Sequence, residues 1–203
     1  MRGVVVISTG AANTASVAAA FHRLGCETTV TTDATLVREA ERVVLPGVGS
    51  FQAGMNALRA HGLDDVVRAR VDAERPLLCI CLGMQLLATQ SEESPGVVGL
   101  GIVQEAVRRL SAEARVPQFG WNAVDARETT LLRTGHAYYA NSYCIQSAPD
   151  GWRAATSTHG TPFVAALERG PVLACQFHPE LSGSWGAGLL ERWLKRAEAT
   201  VPC

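Results

Sequence analysis

Apolar residues in the first half of the chain fall into short unbroken runs, separated by stretches where they recur every three or four positions. Residues 4–7 are the first run and predict a buried strand. Residues 14–24 follow with Val17, Phe21 and Leu24 on one helical face, and Gly25 is placed to close that helix. A second strand is predicted at 28–31 and a third at 43–45, stopping at Pro46-Gly47-Val48-Gly49. Helices are predicted at 51–60 and 63–70. A fourth strand at 77–80 enters through Pro76, and a helix is predicted over 84–89, after Gly83. Strand–helix alternation with continuously apolar strands implies a parallel sheet covered on both faces. From about Val97 the pattern becomes β-rich, with strands expected at 102–107, 136–140, 143–146, 153–157, 163–167 and 172–177. The last predicted element is an amphipathic helix over 185–196, with Leu189, Leu190, Trp193 and Leu194 on one side. No repeat or linker interrupts this order. The expectation is therefore one α/β domain over 1–203, three layers thick, with a mostly parallel central sheet and a β-rich second half.

Composition removes several function classes. Hydrophobic residues make up 47% and charged residues 18% of the 203, which suits a packed core rather than a disordered chain. The formal net charge is -1 and no Lys/Arg block occurs, so no nucleic-acid partner is expected. No apolar run approaches the roughly 20 residues a membrane helix needs. The start, Met1-Arg2-Gly3-Val4, lacks the features of a signal peptide, and a cytoplasmic location is expected. The cysteines are Cys26, Cys79, Cys81, Cys144, Cys175 and Cys203; without regular spacing they read as reduced thiols. The pair Cys79 and Cys81 has no second cluster to complete a metal site, so neither metal nor cofactor is expected.

Three stretches could carry chemistry. In Leu77-Leu78-Cys79-Ile80-Cys81-Leu82-Gly83-Met84-Gln85, a buried strand runs into a nucleophilic residue, then a small residue, then a helix. That is the layout of a nucleophile elbow, which pushes the side chain out at the sheet's carboxyl edge. A helix N-terminus there favours a thiolate, and the Leu82 N–H would face a developing oxyanion. Taken alone, Cys81 reads equally well as a small core residue. Strand periodicity would put Cys79 on the same face unless the turn intervenes, and it reads as structural. The second stretch ends a strand in His178-Pro179-Glu180, a base beside an orienting acid, with strand alternation placing both on one side. The third, Pro46-Gly47-Val48-Gly49-Ser50-Phe51, is a glycine-flanked strand end where backbone can approach a ligand; its plainer reading is a strand–helix turn capped by Ser50. It lacks the lysine of a phosphate loop.

In this order and spacing the three stretches resemble the class I (triad) glutamine amidotransferases over nearly the whole chain. Together with Phe119-Gly120-Trp121-Asn122, they resemble within that family the glutaminase subunits of imidazole glycerol phosphate synthases. The resemblance implies Cys81 as nucleophile, His178 as acid and base, and Glu180 as its orienting partner. It implies an oxyanion hole from the Leu82 N–H with Val48 or Gly49, and a glutamine site at Gln85, Glu93, Ser142 and Tyr143. It further implies L-glutamine as substrate, and a heterodimer with a (βα)8-barrel cyclase that receives ammonia in histidine biosynthesis, with Asn13, Trp121, Asn122 and Tyr138 toward that partner. Another amidotransferase subunit, a non-catalytic scaffold of the same fold and a stand-alone cysteine hydrolase remain the alternatives. The chain departs from the family pattern at Cys79, where Gly is common, at Asn141 in place of His, and at Leu181 in place of a basic residue.

Overall fold

The computed structural model describes residues 2–10 and 13–199. Cys203 and the Ala11-Ala12 pair lie outside those residues. The first half alternates as the apolar pattern requires: β1 (Arg2–Ile7), α1 (Thr14–Arg23), β2 (Cys26–Thr31), α2 (Ala34–Glu39), β3 (Val43–Gly47), α3 (Phe51–Ala60), α4 (Leu63–Asp72), β4 (Leu77–Cys81) and the single turn α5 (Leu82–Gln85). The second half runs β5 (Gln90–Ser91), β6 (Ala106–Arg109), β7 (Gln118–Val124), β8 (Gly135–Asn141), β9 (Tyr143–Ile145), β10 (Arg153–His159), β11 (Thr161–Arg169), β12 (Val172–Cys175) and α6 (Gly183–Ala199). A 3-10 turn over Pro179–Leu181 precedes α6.

The main sheet has the order β10-β11-β12-β4-β3-β1-β2. From β12 to β2 every pair is parallel, whereas β10 and β11 are antiparallel additions at one edge. Alternate residues of the central strands feed two cores. Val44, Leu78 and Ile80 meet Phe21 of α1 and Leu190, Trp193 and Leu194 of α6. Leu45, Leu77 and Cys79 meet Met55 and Leu58 of α3 and Val66, Val67 and Val71 of α4. Helices on both faces explain why β3 and β4 are buried at every position.

Two predicted elements differ from the observed ones, and two observed elements carry no such signal in the sequence. The helix predicted over 84–89 stops at Gln85, because the carbonyls of Leu86, Leu87 and Ala88 are taken by backbone N–H groups of residues 100–103. The strand predicted at 102–107 begins only at Ala106, since Ile102 and Val103 both donate to Leu87. The strand at 118–124 was not predicted, because its most prominent apolar residues, Phe119 and Trp121, face outward. The short α2 also escaped notice; it is held by the Asp33 cap and buries only Val37.

Arg70 of α4 ties together the segments that lead into β3 and β4. Its buried guanidinium donates to the carbonyls of Val37, Arg38, Ala40, Glu41 and Pro76 at 2.8–3.3 Å. Burial, then the nearby Arg75 charge, pushes its pKa down to about 9. Arg70→Met keeps the volume but strands these carbonyls, and is expected to lower unfolding stability by about 3 kcal/mol, read from the urea midpoint.

Candidate active site

The carboxyl ends of β3 and β4 meet a cavity of about 300 Å³ lined by Val48, Gly49, Cys81, Leu82, Gln85, Glu93, Asn141, Ser142, Tyr143 and His178. Every residue expected in the catalytic, oxyanion and glutamine groups reaches this wall except Glu180, which stands behind His178. Cys81 ends β4 and caps α5 with φ 54° and ψ -109°, a conformation disfavoured for a residue with a Cβ. The corner re-aims the side chain: Cys81 packs with the α1/α6 core, while Cys79 packs with the α3/α4 core. The two cysteines therefore do not share a face, which corrects the periodicity argument. Cys79 is fully buried, and burial pushes its thiol well up from the usual range, leaving it an inert filler.

Gly83 lets this corner form. An added Cβ would fall well inside the Leu45 carbonyl oxygen of β3, so only glycine lets α5 seat against the sheet. As the first residue of α5, Leu82 has an N–H with no intrahelical acceptor, and it lies on the cavity wall. Gly49 opposite has φ 93°, and Ser50 caps α3 through its bond from Ala53 N. Glu93 Oε2 accepts from Phe51 N at 2.7 Å and Ser94 Oγ from Gln52 N at 3.2 Å, so the acidic wall of the cavity is tied to the α3 N-terminus.

His178 reaches the cavity from the other side. The strand before it ends at Cys175, and Pro179 starts the 3-10 turn, since proline has no N–H to extend a ladder. That turn, rather than strand alternation, brings Glu180 back to His178, with Nδ1 and Oε1 2.8 Å apart. The His178 ring and Cys81 line the same cavity. Burial would lower the imidazole pKa, but the hydrogen bonds to Cys81 and Glu180, together with their charges, raise it to about 10. A raised pKa keeps the imidazolium through neutral pH and releases its proton only as pH climbs toward 10. If the imidazolium is the required acid, kcat/KM has its alkaline limb near there. Glu180→Gln removes one of the raising partners and is expected to move that limb down by about one unit or more, read from the pH–rate profile.

Ser182 and Gln176, to which the sequence alone assigns no role, complete the site. Ser182 Oγ donates to the His178 carbonyl at 2.6 Å and accepts from Tyr138 N at 2.9 Å, while His178 N donates to the Tyr138 carbonyl at 2.8 Å. Gln176 is fully buried, and its Nε2 lies 3.7 Å from Cys81 Sγ. A polar residue in the apolar run 172–177, two places before His178, was the signal available for it. Gln85 donates through Nε2 to the Tyr143 carbonyl and to Gln176 Oε1, both at 3.0 Å, so its donors hold protein rather than face the cavity. Asn141 Nδ2 donates to the same carbonyl at 3.0 Å.

The residues expected toward a partner lie outside the cavity. Phe119 is 74% and Trp121 59% exposed, and both pack edge-on against Tyr138, the strand neighbour of His178. Leu181 is also exposed. Asn122 donates through Nδ2 to the Thr158 carbonyl of β10, and Asn13 caps α1 through its bond from Ser16 N.

The family profile described as glutamine amidotransferase class-I matches residues 5–197. The imidazole glycerol phosphate synthase subunit HisH of Deinococcus radiodurans is 42% identical over 194 residues, covering 92% of this chain and 90% of that protein. The subunit of the same name from Shigella flexneri is 40% identical over 198 residues, covering 95% and 98%. The one from Oceanobacillus iheyensis is 35% identical over 195 residues, covering 94% and 97%. A solved glutamine amidotransferase superposes with a TM-score of 0.78 at 23% identity over 97% of this chain and all of that one. The glutaminase domain of Trypanosoma brucei CTPS, solved with bound acivicin, gives a TM-score of 0.70 at 16% identity over 100% and 96%. Both structural likenesses concern the fold. The chain belongs to the class I glutamine amidotransferases and, within them, to the HisH subunits of imidazole glycerol phosphate synthase.

Proposed function

We propose that the chain, acting as a single amidotransferase domain, hydrolyses L-glutamine to glutamate and ammonia and passes the ammonia to a cyclase subunit. The observation that carries this reading is that Cys81 and His178 line one cavity with the carboxylate of Glu93, while Glu180 hydrogen-bonds the His178 ring from behind. The Cys81 thiolate attacks the side-chain carboxamide carbon. The oxyanion takes hydrogen bonds from the Leu82 N–H and from backbone at Val48–Gly49. His178, as imidazolium, gives its proton to the departing nitrogen, so ammonia leaves and a thioester remains. The neutral imidazole then deprotonates water, the resulting hydroxide displaces the sulfur, and glutamate and the thiolate are released. Glu180 fixes the ring and its tautomer throughout. Glu93 and the Ser142–Tyr143 backbone suit the α-ammonium and α-carboxylate of glutamine, with Gln85 holding that backbone in place.

The partner reading rests on the exposed aromatic rim. Phe119, Trp121 and Tyr138 form an apolar patch one strand from His178, where a docked (βα)8-barrel cyclase would both cover the apolar surface and sense the site. Among the described residues no helix is long and apolar enough to cross a membrane, which fits a cytoplasmic heterodimer working in histidine biosynthesis. The test is glutamate release from glutamine by the purified chain mixed with its cognate cyclase and that subunit's nucleotide ligand. Release that depends on Cys81 supports the reading. No release, or release unchanged in Cys81→Ser, sinks it.

A further inference from the structure

Cys81 Sγ has two neighbours that can donate a hydrogen bond, and only the His178 ring belongs to the catalytic triad. The other is Gln176, which no exposed surface or ligand pocket accounts for: its side chain is wholly buried between β12 and α5. A buried carboxamide is ambiguous on its own, because oxygen and nitrogen can exchange places. Here the exchange is forbidden by an acceptor further along. The Tyr143 carbonyl can only accept, so Gln85 must turn its Nε2 toward it, 3.0 Å away. Asn141 Nδ2 on the same carbonyl confirms its role as acceptor. The second hydrogen of Gln85 Nε2 then needs an acceptor, which fixes Gln176 with Oε1 toward Gln85 at 3.0 Å and Nε2 toward the sulfur at 3.7 Å. The direction of the whole series is set by one backbone carbonyl.

We propose that Gln176 is a dedicated donor to the Cys81 sulfur, holding it in its nucleophilic, deprotonated state, and that Gln85 locks the donor in that orientation from the glutamine-binding segment at Tyr143. This deepens the glutaminase reading and rests on it for the reaction being assisted. A neutral thiol could offer its proton to an amide oxygen, but the locked series presents an N–H instead, so the sulfur is favoured as an acceptor. The donor lies in a dry environment, where a bond to the charged form is worth more than in water. It also makes the sulfur's environment depend on where residue 143 sits, because moving that carbonyl releases Gln85 and with it Gln176.

The test uses Gln176→Met, which keeps the shape without a donor, and Gln176→Glu, which keeps the acceptor for Gln85 and removes the donor. Iodoacetamide alkylation of the full chain, followed on the Cys81 peptide by mass spectrometry across pH, reports the thiolate directly. Both variants are expected to shift the alkylation midpoint up by about one unit, with a roughly tenfold slower reaction at neutral pH. With the cyclase and its nucleotide ligand present, kcat is expected to fall about 10- to 100-fold, with KM changed less than about threefold. A purely structural role would lower the melting temperature and leave the alkylation midpoint in place. A Gln176→Met profile that coincides with the wild type overturns the proposal, even if Gln176→Glu shifts, since the shift then comes from added charge. Should Gln176→Met fail to fold by circular dichroism, coincidence of Gln176→Glu with the wild type overturns it. Failure of the glutaminase reading itself would appear separately, as no glutamate release by the wild type while the alkylation shift persists.

Discussion

Cys81→Ser is expected to reduce glutamate release about 10,000-fold or more in the presence of the cyclase and its nucleotide ligand, with KM within about threefold of the wild type. The loss corresponds to about 5.5 kcal/mol of transition-state stabilisation. The size follows from the site rather than from the loss of volume, since sulfur and oxygen differ little in the space they fill here. In the proposed mechanism the His178 ring and Gln176 Nε2 stand beside the atom that attacks as a thiolate. A serine hydroxyl is far less acidic than a thiol, so the same donors would bond a neutral oxygen, and the proton would have to be removed during attack. The His178 imidazole, held protonated by Glu180 and the sulfur, would no longer be matched to that task. The melting temperature should stay within a few degrees, because Cys81 is a small side chain whose unfavourable backbone conformation is retained by serine. A serine variant with more than a tenth of the wild-type rate would show that the hydroxyl is activated as well as the thiol, and the thiolate account would fail.

Much of this arrangement could be read from the chain before any coordinates, and the rest could not for identifiable reasons. The alternation around 4–7, 43–45 and 77–80 is legible because buried parallel strands are apolar at every position. The Cys81–Gly83 spacing is legible because the corner needs a small residue there for steric reasons. By contrast, β7 carries its large apolar residues on the outside, so periodicity alone assigns it no core face. The 84–89 segment looks helical because its residues are good helix formers. It is claimed by a long-range loop whose N–H groups compete for the same carbonyls. The opposite facing of Cys79 and Cys81 depends on one positive φ, which no alternation rule contains. Tyr143 and Gln176 lie 58 and 91 residues from Gln85, so the direction of donation among the three emerges only when the fold brings them together. His178 and Glu180 were paired correctly in sequence, though the Pro179 turn, not strand alternation, joins them.

Gly83→Ala is expected to be the most damaging single-methyl change at this site, costing about 4 kcal/mol of stability or lowering kcat/KM about 100-fold according to which side of the collision yields. The added Cβ would collide with the Leu45 carbonyl oxygen, and neither side of that collision is free to move. Leu45 sits in β3, which is paired to β1 on one side and β4 on the other, and its side chain is fully buried. On the other side, α5 is tethered by Gln85 to Tyr143 and Gln176, and by Leu86 and Leu87 to the 100–103 loop. If the sheet wins, α5 shifts and carries the Leu82 N–H and Cys81 away from His178, which is felt as lost rate. If α5 wins, the central sheet separates, which is felt as lost stability. Gly3→Ala is the matched control, because a Cβ there meets nothing within 4 Å, and it should change stability by less than about 0.5 kcal/mol. Urea midpoints and kcat/KM measured on both variants separate the two routes. Gly83→Ala with wild-type stability and rate would mean that α5 seats elsewhere without consequence, and that its close approach to β3 is not what positions the nucleophile.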